Sequence, residues 1–494
     1  MELKIRTLDW KAGFPEAMMN QTTASKLGIH AMDRISIRTQ GKRVREIFTN
    51  VETIVGILRK GELGISKELK DTLNLKQGQK VDINLINPPE SLDFIKKKLN
   101  GKRLSGEEIN EIIKDVVNNS LSEPEIALFV SGMYKNGMNN KETIELIKAI
   151  GYSGNQLKIN RKYVGDKHSI GGVPGNRTTP LVISICAAAG LTMPKTSSRA
   201  ITSAAGTADV IEAIAKVEFS IPEIKKIIKK ADACMVWGGA LGVVPADSKI
   251  IKVEKILKID PEAQLLASIM SKKIAMGAKY IIIDIPYGKG SKFESKKKAL
   301  QLKKKFESLG KYFGKKLKCV LTDGTQPIGK GIGPVMELYD VISILDPKKE
   351  GPKDLEEKSL LLSAKLLELS GKAKKNKGLE MAKEILHSGK AFKKFKEIIK
   401  AQGGNTNRLK LAKLKKNILA KKSGKIKNIV NEKISSMAMV TGCPLDKSCG
   451  LYLHVEKGQK VKKGEKLITV YANTKNRLND AVKFFKKEKP ILFR

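Results

Sequence analysis

The sequence predicts a multidomain α/β protein with a small N-terminal β-barrel, a helical domain, an α/β domain and a small C-terminal β domain. Three observations predict it. An internal repeat marks residues 1–86. From about Val164 to Asp346, glycine-rich loops lead into helices and alternate with short β-rich runs. From Lys427 to Asn473 the pattern turns β-like again.

The N-terminal element rests on the match between Leu27-Gly-Ile-His-Ala-Met-Asp-Arg-Ile-Ser-Ile37 and Leu73-Asn-Leu-Lys-Gln-Gly-Gln-Lys-Val-Asp-Ile83. Each copy reads as a turn followed by an alternating strand, so two copies suggest a pseudo-symmetric barrel. Asn87-Pro88-Pro89-Glu90 reads as its exit linker. Helices follow. Ser105-Gly-Glu-Glu108 and Ser122-Glu-Pro-Glu125 are capping boxes. Each precedes an apolar helical stripe, Ile109, Ile112, Ile113 and Val116 in one, Ile126, Phe129, Val130 and Met133 in the other. In the α/β region, Tyr280–Ile285 and Cys319–Thr322 are strand candidates. Residues 353–422 read as charged helices, and the tail carries turns at Gly450, Lys457-Gly458 and Lys463-Gly464. The divisions expected are 1–86 for the β domain, 90–422 for the catalytic region and 425–494 for the C-terminal β domain. Within the catalytic region, about 90–160 plus 180–245 are expected to be helical.

Composition bounds the function. A chain of 494 residues has room for about two to four domains. It has no apolar run of about 18 residues, which argues against a membrane span, and no apolar leader, which argues against secretion. Five scattered cysteines without a CxxC pair and only four histidines argue against a disulfide framework and a structural zinc site, and so for a reducing cytoplasm. The formal net charge of +43 is mostly lysine spread along the chain, with little aromatic interleaving. It favours solvated basic faces and capture of anionic small molecules over nucleic-acid binding.

Three loops carry the chemistry. Asp166-Lys-His-Ser-Ile-Gly-Gly-Val-Pro-Gly-Asn-Arg-Thr-Thr-Pro180 feeds an apolar helix, with Thr179 expected at the N-cap and Pro180 at the first helical position. Gly171, Gly172 and Gly175 permit close backbone approach, and a glycine loop at a helix N-terminus presents N–H donors to an anion. The pattern is not GxxxxGKS/T, so nucleotide hydrolysis is not implied. Thr196-Ser-Ser-Arg-Ala-Ile-Thr-Ser-Ala-Ala-Gly-Thr207 repeats the logic, with Thr207 as candidate N-cap and Asp209 in the first turn. Pro286-Tyr-Gly-Lys-Gly-Ser-Lys292 follows a strand and offers Lys289 and Lys292. The first loop is equally readable as an ordinary capped connection, the second less so, and in the third Lys289 reads better as part of a flexible basic turn. A further helix, begun by Asp260-Pro261, carries Asp260, Gln264, Ser268 and Lys272 four apart on one side. That stripe reads as a solvated face or as a pocket wall. For Asp260 to act as an acid, burial must raise its pKa.

Together these motifs resemble the thymidine and pyrimidine-nucleoside phosphorylase family, in its archaeal AMP phosphorylase branch. Lys167-His-Ser-Ile-Gly-Gly-Val173 is similar to that family's KHSTGGV signature, and Thr179, Ser197 and Thr207 match its hydroxyls around phosphate. Ala267-Ser-Ile-Met-Ser-Lys-Lys273 is similar to its base-recognition helix. Gly442-Cys-Pro and Gly450–Val455 fall where the family has its C-terminal domain. The loops read Gly172-Val-Pro-Gly-Asn-Arg177 rather than GVGD and Thr196–Ser203 rather than SGRGLGHT, and an extra N-terminal domain is present, as in the AMP branch.

The resemblance implies a cleft formed by the helical and α/β domains, in which a nucleoside monophosphate is split by inorganic phosphate. AMP binding falls on Gly172, Ser198, Arg199, Ala200, Ile201, Thr202, Ser203, Thr207, Ser268 and Lys292. Phosphate falls on Lys167, Ser169, Thr179 and Ser197, and Asp260 is the implied proton donor. Lys272 and His168 are supporting, and for His168 a positioning role is favoured over general acid. AMP gives adenine and ribose 1,5-bisphosphate, with CMP and UMP as further substrates. No metal or cofactor is implied, phosphate being a co-substrate. A homo-oligomer with a dimer core and a larger assembly is implied, without membrane or nucleic-acid partners. The rivals are a thymidine or pyrimidine-nucleoside phosphorylase, a phosphoribosyltransferase of related fold, and a basic nucleic-acid-binding protein.

Overall fold

The alternating pattern of the first 86 residues resolves into six strands: β1 (Glu2–Thr7), β2 (Ala17–Asn20), β3 (Arg34–Thr39), β4 (Glu46–Ile54), β5 (Glu62–Ile65) and β6 (Lys80–Leu85). They close a barrel in the order β1-β5-β2-β4-β3-β6. Exchanging β1, β2 and β3 with β4, β5 and β6 leaves the pairing unchanged. β1 runs parallel to β5 as β4 does to β2, and β1 antiparallel to β6 as β4 does to β3. Helices Gln21–Lys26 and Lys67–Leu73 precede β3 and β6, so the repeat is a helix end, a turn and a strand. Leu3, Ile5, Met19, Ile35, Ile37, Leu63 and Ile65 fill the interior, and closure leaves no exposed sheet edge. The structure is a computed structural model, and it describes residues 1–8, 10–41, 44–200 and 203–494.

The chain divides into two compact units, residues 1–154 with 245–271, and 155–244 with 272–494. In the first, the barrel joins helices Ser91–Leu99, Gly106–Asn118, Glu123–Asn136, Asn140–Tyr152 and Pro245–Leu257. The Ser105 box forms as expected: its hydroxyl accepts from the Glu108 amide at 3.2 Å, and Glu108 accepts from the Ser105 amide at 2.7 Å. Asn139 and Glu142 make a third box that the sequence reading did not name. Lys249 donates to the Val116 and Val117 carbonyls, both at 2.8 Å, and so satisfies the end of helix Gly106–Asn118. Arg34 of β3 pairs with Glu125, joining barrel to helices.

The second unit is built on parallel strands β7 (Gly165–Ser169), β8 (Met193–Ser197), β9 (Ala233–Trp237), β10 (Tyr280–Tyr287) and β11 (Lys316–Asp323). β7 pairs with β10 and β10 with β11, while β8 pairs with β9, and a parallel bridge from Val164 to Thr192 links the two sets. The spatial order is therefore β9-β8-β7-β10-β11. The strand order reverses at β7, and in open parallel sheets ligands bind at the carboxyl ends of the strands beside such a reversal. Helix Thr178–Ala188 crosses from β7 to β8. Every residue from Thr178 to Ala187 is buried, against helices Lys353–Ser370 and Lys390–Ala401. This corrects the expected assignment of 180–245 to the helical domain. The segment is a sheet crossover, apolar all round because it is packed on several sides. The helical unit takes 245–271 instead, inserted between β9 and β10.

The C-terminal part contains β12 (Gly331–Ile332), β13 (Leu414–Leu419), β14 (Gly424–Ile429), β15 (Gly450–Leu453), β16 (Lys460–Val461), β17 (Lys466–Ala472) and β18 (Ile491–Phe493). They form two sheets, β12-β15-β17-β13 and β16-β14-β18. Two expectations change. Helices Asn431–Val440 and Lys475–Glu488 make this part α and β rather than β alone. Residues 414–419, read as helical and catalytic, form a strand paired with β17. That strand, Leu-Lys-Lys-Asn-Ile-Leu, shows no alternation because its face is largely exposed lysine.

Candidate functional site

The register of β7 on β10 sets the site. Lys167 lies opposite Ile282 and Ser169 opposite Asp284. Side chains alternate along a strand, so Lys167, Ser169 and Asp284 share one face, and Asp166 and His168 the other.

On the first face Asp284 is a hub. It accepts from the Ser169 hydroxyl at 2.7 Å, from Thr322 at 2.6 Å and from the Asn176 amide at 3.3 Å, and it pairs with Lys358 at 3.1 Å. Burial would raise the Asp284 pKa, but Lys358, Lys167 and the Thr322 and Ser169 hydroxyls outweigh it, so the carboxylate is held below its ordinary value. Lys167 is wholly buried and donates to the hydroxyls of Thr178 at 2.6 Å and Thr179 at 3.2 Å. Burial lowers its pKa to about 7, with Asp284 opposing and Lys358, Lys195 and Arg177 adding to the fall.

On the second face Asp166 holds Lys273 at 2.9 Å and Lys195 at 3.5 Å. His168 is kept neutral, because burial and then Lys273, Lys195, Lys272 and Lys167 push its pKa well below the usual imidazole value. A neutral imidazole can position a ligand but brings no proton of its own charge, which favours the positioning role. Four buried lysines thus face two buried carboxylates, Asp166 and Asp284. The excess positive charge suits an anion.

The loop after β7 turns through Gly171, Gly172 and Gly175 with φ of +91°, +86° and +72°. A Cβ at Gly175 would lie 2.2 Å from the Ile328 carbonyl oxygen, and one at Gly172 would lie 2.8 Å from the Lys292 amide nitrogen. The first and third loops therefore touch. Gly175→Ala adds both a clash and left-handed strain, expected to cost about 2–4 kcal/mol. Calorimetry should show the midpoint falling by several degrees, and an unchanged midpoint would contradict the loop geometry.

The helix begins at Thr178, with Arg177 at the cap position and no side-chain cap. This corrects the expectation of Thr179 as N-cap. Proline is tolerated anywhere in a first turn whose amides lack helical partners, so Pro180 does not mark the first position. The first-turn amides are left without a side-chain cap. Arg177 is instead a tie. It donates to Glu337 at 2.6 Å, to the Thr207 hydroxyl at 2.8 Å and to the Ala205 carbonyl at 2.7 Å. The first and second loops are thereby joined.

In the second loop Gly206, not Thr207, stands at the N-cap of helix Thr207–Glu212. The reason is Asp209, which accepts from the Gly206 amide at 2.8 Å and the Ala200 amide at 2.7 Å and closes the loop on itself. Ser197 donates to the Val236 carbonyl at 3.3 Å and Ser203 to Ala205 at 2.8 Å, while Ser198 is exposed. Ile201 and Thr202 lie outside the described residues. Arg199 donates to Glu212 at 2.7 Å and to Glu218 at 2.9 Å and stacks on Trp237 at 4.6 Å.

Lys292 and Lys289 are both exposed, and Lys292 is the one beside Gly172. Asp260 and Ser268 belong to the other unit, and Lys272 opens the stretch assigned to this one. Helix Glu262–Ala275 starts two residues after Asp260, which is exposed. The fold itself does not supply the burial required of an acid. Gln264 is buried and donates to Asp247 at 3.2 Å, so the expected stripe is not a uniform solvated face. Ser268 and Lys272 are half-buried.

The sequence reading missed Asn176, Arg177, Lys195, Lys273, Asp284, Thr322 and Lys358. Asn176 and Arg177 carried a signal by standing inside the glycine loop, and Lys273 by ending the Ala267–Lys273 motif. Among the described residues no group of three or more His, Cys, Asp or Glu could hold a metal ion, and no helix is long and apolar enough to cross a membrane.

Comparison with known proteins places the chain among relatives. Residues 161–392 fit the glycosyl transferase family a/b domain, 92–154 its helical bundle domain, and 425–492 the pyrimidine nucleoside phosphorylase C-terminal domain. The chain is 44% identical to an AMP phosphorylase of Thermococcus kodakarensis, over 99% of this chain and 97% of that one. It is 41% identical to one of Methanococcus aeolicus and 42% to one of Pyrococcus furiosus, over the same shares. Among solved structures, an anthranilate phosphoribosyltransferase from Thermus thermophilus aligns with a TM-score of 0.53 at 19% identity, covering 63% of this chain and all of that one. That likeness is one of fold.

Proposed function

Since the chain belongs to the AMP phosphorylase family, we propose that it is a pentosyltransferase that cleaves AMP with inorganic phosphate, giving adenine and ribose 1,5-bisphosphate. One observation carries the reading. Two glycine-led helix starts follow the neighbouring strands β7 and β8, joined through Arg177, and a third loop touches the first at Gly172. Two anions on one ribose need such a pair of adjacent sites.

A phosphate oxygen attacks C1′, the bond from C1′ to the base nitrogen breaks, and its electron pair leaves with the base. Lys167, with the amides of the glycine loop, Thr179 and Ser169, holds the nucleophile. Asn176 and Asp284 fix the Ser169 hydroxyl. Ser197 lies at the edge of the same site. Holding two reactants in line contributes on the order of 7–11 kcal/mol in favourable cases. The phosphate dianion also stabilises the oxocarbenium character of the sugar. Ser198 to Ser203, Thr207 and Gly172 cradle the nucleotide, Ser268 meets the base with Lys272 in support, and Asp260 protonates it. Lys292 clamps the 5′ ester. Arg199, also among the residues to which AMP binding falls, has its guanidinium occupied by carboxylates and is assigned to bracing the loop. CMP and UMP fit the same scheme, the reaction needs no cofactor, and the protein works as a cytoplasmic homo-oligomer.

The test is phosphate-dependent release of free base from AMP and adenosine in parallel. AMP should exceed adenosine in kcat/KM by about a hundredfold or more, the value of a clamped, charge-paired ester. Equal rates would sink the reading and favour a nucleoside phosphorylase, the reading that the C-terminal domain match alone would permit.

A further inference from the structure

The second loop is braced from the C-terminal part of the chain. Asp209 is buried, and one of its oxygens accepts both the Ala200 and the Gly206 amides. Its other oxygen accepts from Lys447 at 3.0 Å. Lys447 also pairs with Glu212 at 2.9 Å, and Glu212 in turn holds Arg199. The Arg199 hydrogen bonds, with Lys447 beside them, hold the Glu212 pKa down to about 2 despite its partial burial. The network is acidic without Lys447. Asp209, Glu212 and Glu218 would face Arg199 alone.

Lys447 is itself held in place. Its carbonyl accepts from the Val335 amide at 3.1 Å. Its neighbour Asp446 accepts from Ser448 at 2.6 Å and from Asn473 at 2.6 Å. The ammonium is thus delivered from a rigid turn.

We propose that Lys447 is a positioning residue for nucleotide binding: by bridging Asp209 and Glu212 it latches the second loop in the form that receives AMP. This rests on the reading of that loop as the AMP site. The latch acts first on nucleotide affinity, because its contacts fall on Asp209 and Glu212 and none falls on Lys167, Ser169 or Asp284.

The experiment uses the full chain in a Trp10→Phe background, so that Trp237, stacked under Arg199, is the single tryptophan. In Lys447→Met the KM for AMP should rise about tenfold or more while the KM for phosphate changes less than about twofold, and Trp237 emission should shift. Lys447→Arg should restore both readings, since a guanidinium can span the same two carboxylates. If Lys447→Met fails to fold by circular dichroism, Glu212→Gln, which removes the other end of the bridge, is read the same way. A parent-like KM for AMP with unchanged Trp237 emission would overturn the latch. A parent protein that cleaves no nucleotide would instead overturn the proposed function, and the Trp237 emission of the variants would still judge the latch.

Discussion

Replacing Lys167 by methionine is expected to lower kcat/KM for phosphate by about a thousandfold or more while leaving the fold as stable as the parent or more so. The two effects have one cause. The ammonium is wholly buried, with two threonine hydroxyls as hydrogen-bond acceptors and Asp284 as the opposing charge. Burial carries its pKa from the ordinary 10.5 to about 7, a cost to the folded state on the order of 5 kcal/mol when the group is charged. Nothing in the fold requires that charge, since Asp284 keeps Lys358 and its hydroxyl donors. Methionine has nearly the same length and no charge to bury. Phosphate loses its buried cation, and removal of such a charge from an anion site commonly costs 2–5 kcal/mol.

The sign of the pH effect follows from the same shift. Between about pH 7 and pH 10 the unfolded lysine holds a proton that the folded one has lost, so the parent gains stability as pH rises through that window. Lys273, also lowered to about 7 by burial, adds a similar slope in both proteins. The difference between parent and variant therefore isolates Lys167. Urea unfolding at pH 6, 8 and 10 should show the variant ahead at pH 6 and the gap closing by pH 10. A variant that binds phosphate normally, or a gap that widens with pH, would refute the assignment.

The glycine loops were legible in the sequence because their signal is local: left-handed positions, hydroxyls and a helix start lie within fifteen consecutive residues, Asp166 to Pro180. The barrel was legible because its two halves repeat. Asp284 and Lys358 were not. Ser169 and Asp284 are 115 residues apart and meet only through the parallel register of β7 on β10. Lys358 sits in a helix that also carries Lys353 and Lys365, and only the turn on which it falls separates a buried ion-pair partner from an exposed and a half-buried lysine. Arg177 showed in the loop, but its role as a tie depends on Thr207 and Glu337, placed by crossovers no local pattern encodes. The errors at the two helix starts, two residues at Thr179 and one at Thr207, share a cause. Each expected a threonine hydroxyl to cap its own helix, and in each the hydroxyl serves a cation instead, Lys167 at Thr179 and Arg177 at Thr207. A buried positive charge competes for a cap oxygen more strongly than a neutral amide does.

Asp260→Asn is expected to lower kcat for AMP by about two to four orders of magnitude, the usual worth of a positioned proton donor. The leaving group makes the test sharp. Adenine departing without a proton is a poor anion, so the acid matters most there. A ribosyl pyridinium 5′-phosphate departs as a neutral base and needs no proton, so the same variant should lose less than about tenfold on it. Asp260 is exposed in the protein alone. Equal losses on both substrates would show that Asp260 orders the site without giving a proton, and an undiminished kcat on AMP would remove it from the mechanism.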